Sequence, residues 1–155
     1  MKTNKMKELI VNALDNGTVI DHIPSASVMQ VARILKLDES KSTIIMGMNM
    51  ESSKMGSKGI IKVRETYFKP NEINKISLVA PQATLTIIEN YDVKEKRIVE
   101  VPDEIVGLIQ CPNAKCITNH ETVTTRFHVV NKSPELKMEC HYCEKVIGKE
   151  DLKFI

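Results

Sequence analysis

Residues 17–37 read GTVIDHIPSASVMQVARILKL. Thr18 to Ile23 is a β-prone run that stops at Pro24, which has no N–H to give a strand ladder. Ser25 is placed to cap a helix, and Val28, Val31, Ala32 and Leu35 then recur at helical spacing to about Leu37. Downstream, Ser42 to Met50 alternates, with Ile44, Met46, Met48 and Met50 on one face, which predicts a strand. After a polar loop, Lys58 to Lys69 predicts another strand. Pro70 and Asn71 open a second helix through Ile73, Ile76 and Val79, and Pro81 ends it. Thr84 to Asn90 and Lys94 to Val101 predict two more strands around a tight turn. The order strand, helix, strand, strand, helix, strand, with one added hairpin strand, is the split βαβ order. It predicts an α+β, ferredoxin-like N-terminal domain: an antiparallel sheet with two helices on one face.

Val101-Pro102-Asp103 marks the expected boundary, dividing the chain into residues 1–101 and 102–155. The second part carries a β-prone run from Thr122 to Val130, a turn at Asn131 to Pro134 and a short strand from Glu135 to Glu139, so it is expected to be small and mainly β. About 50 residues bury too little apolar surface to hold a fold without a staple. All four cysteines lie in this part: Cys111, Cys116, Cys140 and Cys143. Two short cysteine knuckles separated by a hairpin-length insert suit a tetrahedral Zn²⁺ site. Two disulfides and an iron–sulfur or redox site are the alternatives, and His141 is a competing ligand. His120 and His128 read as surface or strand residues. Four thiolates leave no open coordination position, which points to a structural metal rather than a catalytic one.

Composition narrows the function. The N-terminus MKTNKMKELIVNALDNG is charged throughout, without a secretory apolar core, and the apolar runs are far shorter than the roughly 20 residues needed to cross a bilayer. A cytoplasmic chain with no membrane partner is expected. No GxxxxGK[ST], GxGxxG, HExxH or GxSxG motif occurs, so no catalytic residue is assigned. Residues 101–155 hold seven Lys/Arg against eight Asp/Glu, a net −1, with no basic-aromatic patch. That balance argues against nucleic acid and for a protein contact. Residues 1–100 hold 15 Lys/Arg against 12 Asp/Glu, a net +3. Alternation puts Lys58, Ile60, Lys62 and Arg64 on one strand face, and Lys94, Lys96, Ile98 and Glu100 on another. Lysines beside aliphatic residues suit a phosphate at one end and an apolar ring at the other, and Asp21-His22 adds a pair able to grip hydroxyls.

Taken together, Gly17 to Pro24, Lys58-x-x-Ile-Lys62, Ala80-Pro-Gln-Ala-Thr84, Asn90-Tyr91, CPNAKC and CHYC resemble the aspartate carbamoyltransferase regulatory chain, over essentially the whole length. The resemblance implies a non-catalytic allosteric chain of pyrimidine biosynthesis. Its N-terminal domain would bind CTP or UTP as inhibitors and ATP as activator. Its zinc domain would dock on the catalytic chain. Such chains pair through their N-terminal domains and bridge two catalytic trimers, six catalytic plus six regulatory chains in all. Carried over by position, Lys62 and Lys96 contact the triphosphate, while Asp21 and His22 contact the ribose and the neighbouring phosphate region. Val11, Leu14, Ile60, Ile88, Tyr91 and Val93 frame the base and sugar, Lys58 serves a second, metal-linked nucleotide, and the four cysteines hold zinc. Asn12 stands where the family has a carboxylate, and Thr86 where it has an Asn.

Overall fold

A computed structural model describes residues 14–155, so Val11 and Asn12 lie outside the described residues. The elements are β1 (Gly17–Ile23), α1 (Val28–Ile34), β2 (Ile44–Ser52), β3 (Gly56–Arg64), α2 (Pro70–Val79), β4 (Thr84–Glu89), β5 (Asp92–Ile98), β6 (Glu104–Val106), β7 (Arg126–Asn131), β8 (Lys137–Cys140) and β9 (Val146–Gly148). The first five strands form one sheet in the order β2-β3-β1-β4-β5, every neighbour antiparallel. This is the expected split βαβ arrangement, with β5 added at the edge beside β4.

The first expected helix is shorter and differently begun. A 3₁₀ turn at Ser25–Ser27 precedes α1, and Lys36, in the left-handed region at φ 53°, stops it before another 3₁₀ turn at Leu37–Glu39. Ser25 makes no cap; its Oγ instead accepts the Asn49 N–H at 3.1 Å. Val28 and Val31 of α1 are fully buried, as are Ile20, Ile23, Ile61 and Val63 on β1 and β3. Gly59 lets helix and sheet approach: a Cβ there would lie 2.0 Å from Val28 Cγ2.

The register also slips in β1 between Ile20 and Ile23, and bulges in β2 and β5 overturn strict alternation on the expected faces. In β2 the register slips between Gly47 and Met50, with Asn49 at φ 59°. Met46 therefore pairs with Ile61 while Met50 pairs with Lys58, so the expected Ile44–Met50 stripe is split between two faces. In β5, Ile87 pairs with Glu95 but Ile88 with Val93, leaving Lys94 extra. Lys94 does not continue the Lys96 and Ile98 face; it salt-bridges Glu89 at 3.1 Å. Glu100 falls outside the strand.

β6 to β9 form a second, four-stranded antiparallel sheet, ordered β6-β7-β8-β9. Its core holds Ile105, Ile109, Phe127, Met138 and Ile147, together with Cys111, Cys116 and Cys140. The chain makes two compact units: residues up to Lys69 with Gln82–Val99, and Pro70–Pro81 with Glu100–Ile155. It thus passes between units three times, and α2, which lies in sequence between β3 and β4, contributes Leu78 to the second core. No helix among the described residues is long and apolar enough to cross a membrane.

Candidate functional site

In the first unit, ladder register collects the candidate residues into three parallel rows on one sheet face. The middle row runs Lys62 (β3), Val19 (β1), Thr86 (β4), Lys96 (β5). Neighbouring strands lie about 4.8 Å apart, so the two lysine Cα atoms are roughly 14 Å apart, within reach of both side chains for a polyanion laid between them. The next row runs Asp21, Thr84, Ile98. On the other side lies Arg64, Gly17, Ile88, Val93. The β5 bulge puts Val93 and Lys96, three residues apart, on the same face. Ile60 shares the Lys62 face and is buried, as is Ile88.

Backbone conformation tunes the polar row. His22 sits in the left-handed region at φ 58°, where its N–H reaches Asp21 Oδ1 at 2.6 Å and its Nδ1 lies 3.0 Å from Thr84 Oγ1. A residue following Asp21 in a regular strand would point to the opposite face. Lys58 Nζ grips the Asp21 carboxylate at 2.9 and 3.0 Å. Lys62 is only 5% exposed. Burial pushes its ammonium below the usual lysine range, and the Asp21 charge pulls it partly back. The β4–β5 turn places Asn90 and Tyr91 at φ 51° and 66°, the two left-handed positions of a tight hairpin, and leaves Tyr91 69% exposed. Leu14 is partly buried ahead of β1.

In the second unit the four cysteine sulfurs lie within 4.8 Å of one another. Cys111 and Cys143 are 3.6 Å apart, and Cys116 and Cys140 3.8 Å. Four thiolates around an ion at about 2.3 Å have edges near 3.8 Å, so this donor set fits a tetrahedral Zn²⁺. Burial pushes the Cys111 thiol up to about 12 and raises Cys140 as well. Burial acts on Cys143 too, but hydrogen bonds from Asn113 and the Lys145 backbone outweigh it and bring that thiol down to about 7. A bound divalent cation would hold the buried thiolates ionised.

Local turns explain the wide first knuckle. Asn113 Oδ1 accepts the Lys115 N–H at 3.0 Å, and its carbonyl accepts the Cys116 N–H at 2.9 Å. Asn119 then donates Nδ2 to the carbonyls of Cys111 and Asn113, each at 2.9 Å. This tie was not legible in the cysteine spacing. The second knuckle closes on Glu144 at φ 63°, whose N–H reaches the Cys140 carbonyl at 2.9 Å. His141 is turned away from the sulfurs, its Nδ1 2.9 Å from His128 Nε2. His120 contacts the Ala114 carbonyl.

Comparison with known proteins matches the chain in two consecutive stretches. Residues 9–100 match the family profile described as the aspartate carbamoyltransferase regulatory chain, allosteric domain. Residues 103–153 match the metal binding domain of the same chain. An allosteric domain followed by a metal-binding domain defines a regulatory rather than a catalytic protein. Aspartate carbamoyltransferase regulatory chains of Parabacteroides distasonis (49% identical over 152 residues, 98% of each chain) and Thermococcus sibiricus (53% over 142 residues, 92% of this chain and 93% of the other) are similar along almost their whole length. That of Pyrococcus abyssi is 48% identical over 149 residues, 95% of this chain and 97% of the other. The chain belongs to the family of aspartate carbamoyltransferase regulatory chains.

Proposed function

We propose that this chain senses nucleoside triphosphates and passes the signal to an aspartate carbamoyltransferase catalytic chain. Residues 1–101 would form the sensing domain, and residues 102–155 a docking domain closed by one structural Zn²⁺. The observation that carries the sensing half is the Lys62–Val19–Thr86–Lys96 row, two cations spaced across two small uncharged side chains. With the triphosphate on the two lysines, Asp21, His22 and Ile60 would flank one end of it, and Ile88, Tyr91, Val93 and Leu14 at the other end would frame the sugar and base. CTP or UTP would inhibit and ATP activate, with Thr86 and Asn12 setting base preference. Lys58, held on Asp21, is poised to change partner when a second, metal-linked phosphate arrives.

Self-pairing through the sensing domain is supported by β2, which among the described residues is an edge strand with Ile45, Met46 and Met48 exposed. Regulatory dimers would then bridge catalytic trimers in the cytoplasm. An effector shifts catalysis only as far as it prefers one quaternary state over the other. Calorimetric titration of the full chain with CTP, UTP and ATP, before and after mixing with catalytic trimers, tests both halves. Binding of at least one nucleotide and co-migration with the trimer are expected. Absence of all nucleotide binding rejects the sensing role, and failure to associate in the presence of zinc rejects the subunit role.

A further inference from the structure

Asp15 and Asn16 precede β1 and are held in place by side-chain and backbone hydrogen bonds. Arg64, at the end of β3, forks onto the Asp15 carboxylate, Nε to Oδ1 at 3.0 Å and Nη2 to Oδ2 at 2.8 Å. Three left-handed residues also direct backbone N–H groups at this two-residue segment. Glu65, at φ 52°, donates to the Asn16 carbonyl at 2.8 Å, and Tyr91, at φ 66°, to the Asp15 carbonyl at 2.9 Å. Asn90, at φ 51°, donates to Asn16 Oδ1 at 3.1 Å. Gly17, which follows, admits no side chain: a Cβ would lie 2.2 Å from the Val63 carbonyl oxygen. Segment 15–16 therefore joins the end of β3 to the β4–β5 turn, and neither junction belongs to a β-ladder.

We propose that Arg64 is a positioning residue for the nucleoside half of the ligand, acting through Asp15. The inference rests on the nucleotide-sensing role proposed above. Arg64 belongs to the row with Gly17, Ile88 and Val93, the apolar end of the face, and its fork secures the backbone on which Leu14 and Tyr91 sit. Lys62 and Lys96 are placed by ladder hydrogen bonds in the next row and do not depend on segment 15–16. Breaking the fork should loosen the base-and-sugar wall while leaving the phosphate lysines in place. A fork of two charge-assisted bonds is specific to arginine, so lysine is a poor substitute.

The test compares ligands on the full chain by calorimetry: CTP, ATP and inorganic tripolyphosphate. Arg64→Gln should lower CTP and ATP affinity about tenfold through lost preorganisation, with tripolyphosphate affinity kept within about twofold. Arg64→Lys should show the same selectivity of loss, and it carries the test alone if the glutamine variant fails to fold. Reversing the pair, Asp15→Arg with Arg64→Asp, should restore part of the nucleotide affinity. Unchanged CTP affinity in both single variants, or equal losses for CTP and tripolyphosphate, overturns the inference while leaving nucleotide sensing intact. An unaltered chain that binds no nucleotide overturns sensing and this inference together.

Discussion

Lys62 on β3 and Lys96 on β5 stand in one cross-strand row, with Val19 and Thr86 between them. Lys62 is nearly buried, so its charge is felt at low effective dielectric, whereas β5 is exposed throughout. Replacing Lys62 with Ala should weaken CTP or ATP binding roughly tenfold to a hundredfold and free cytidine or adenosine hardly at all, as expected for a lost charge-assisted phosphate contact. Parallel titrations of nucleotide and nucleoside decide it; equal losses remove Lys62 from the phosphate site.

Stripping the metal, or replacing Cys140 with Ser, should unfold the second sheet, because binding energy for a structural metal is folding energy. Leu78 ties α2 to the same core, so the loss should reach Pro70–Val79 as well. Hydrogen exchange reads this directly: amides of α2 should lose protection with β6–β9, while those of β1 and β3 keep theirs. Retained protection in α2 would show that the helix does not depend on the metal.

Asp15 gives a pH signature. Its hydrogen bond from Arg64 is the main cause that brings the carboxyl from 3.8 to about 2. Folded below unfolded means the stabilisation is full above the ordinary value and is lost as pH falls toward about 2. Carboxyl-carbon NMR should find the midpoint near that low value, and Arg64→Gln should move it back up. An ordinary midpoint in the unaltered chain would show that the fork does not persist in solution.

Gly59→Ala should cost about 1–3 kcal/mol, the usual scale for overpacking a core, because the new methyl meets Val28 Cγ2. Val28→Ala in the same chain should recover part of that loss by vacating the space. Thermal or urea unfolding measures both. Additive destabilisation would place the clash elsewhere.

Asn119→Ala leaves two carbonyls of the first knuckle without their shared donor. A loss of about 1–3 kcal/mol, typical for buried polar groups left unsatisfied, is expected, with weaker metal retention against a chelator. Retention equal to the unaltered chain would show that the cysteine turn holds its shape without Asn119.

Much of the first sheet was legible because period-two and helical spacing survive in one dimension. Lys58, Ile60, Lys62 and Arg64 share the face that alternation assigns them. Alternation failed where the backbone inserts a residue: at Gly47–Met50 and at Lys94, bulges reassign every side chain beyond them. His22 reaches the site face through a left-handed backbone that no apolar pattern signals. The cysteine cluster was legible from spacing alone. Three-residue strands such as β6 and β9 are too short to show a period, and Asn119 becomes visible only when the knuckle is folded. The helix from Pro70 was legible as a helix, but no periodicity tells which of two cores will receive Leu78.

That membership makes the polypeptide indivisible at its apparent joint. A cut after Val101 would release an N-terminal fragment carrying α2 but none of Ile105, Ile109, Phe127, Met138 or Ile147, the apolar side chains clustered with Leu78. The C-terminal fragment would in turn lack part of its own interior. Chimeras between relatives face the same difficulty, since the compact unit is discontinuous although each family module is continuous in sequence: Pro70–Pro81 must travel with Glu100–Ile155. A graft exchanged in those two pieces should express as a well-behaved protein where a single splice at the joint would aggregate.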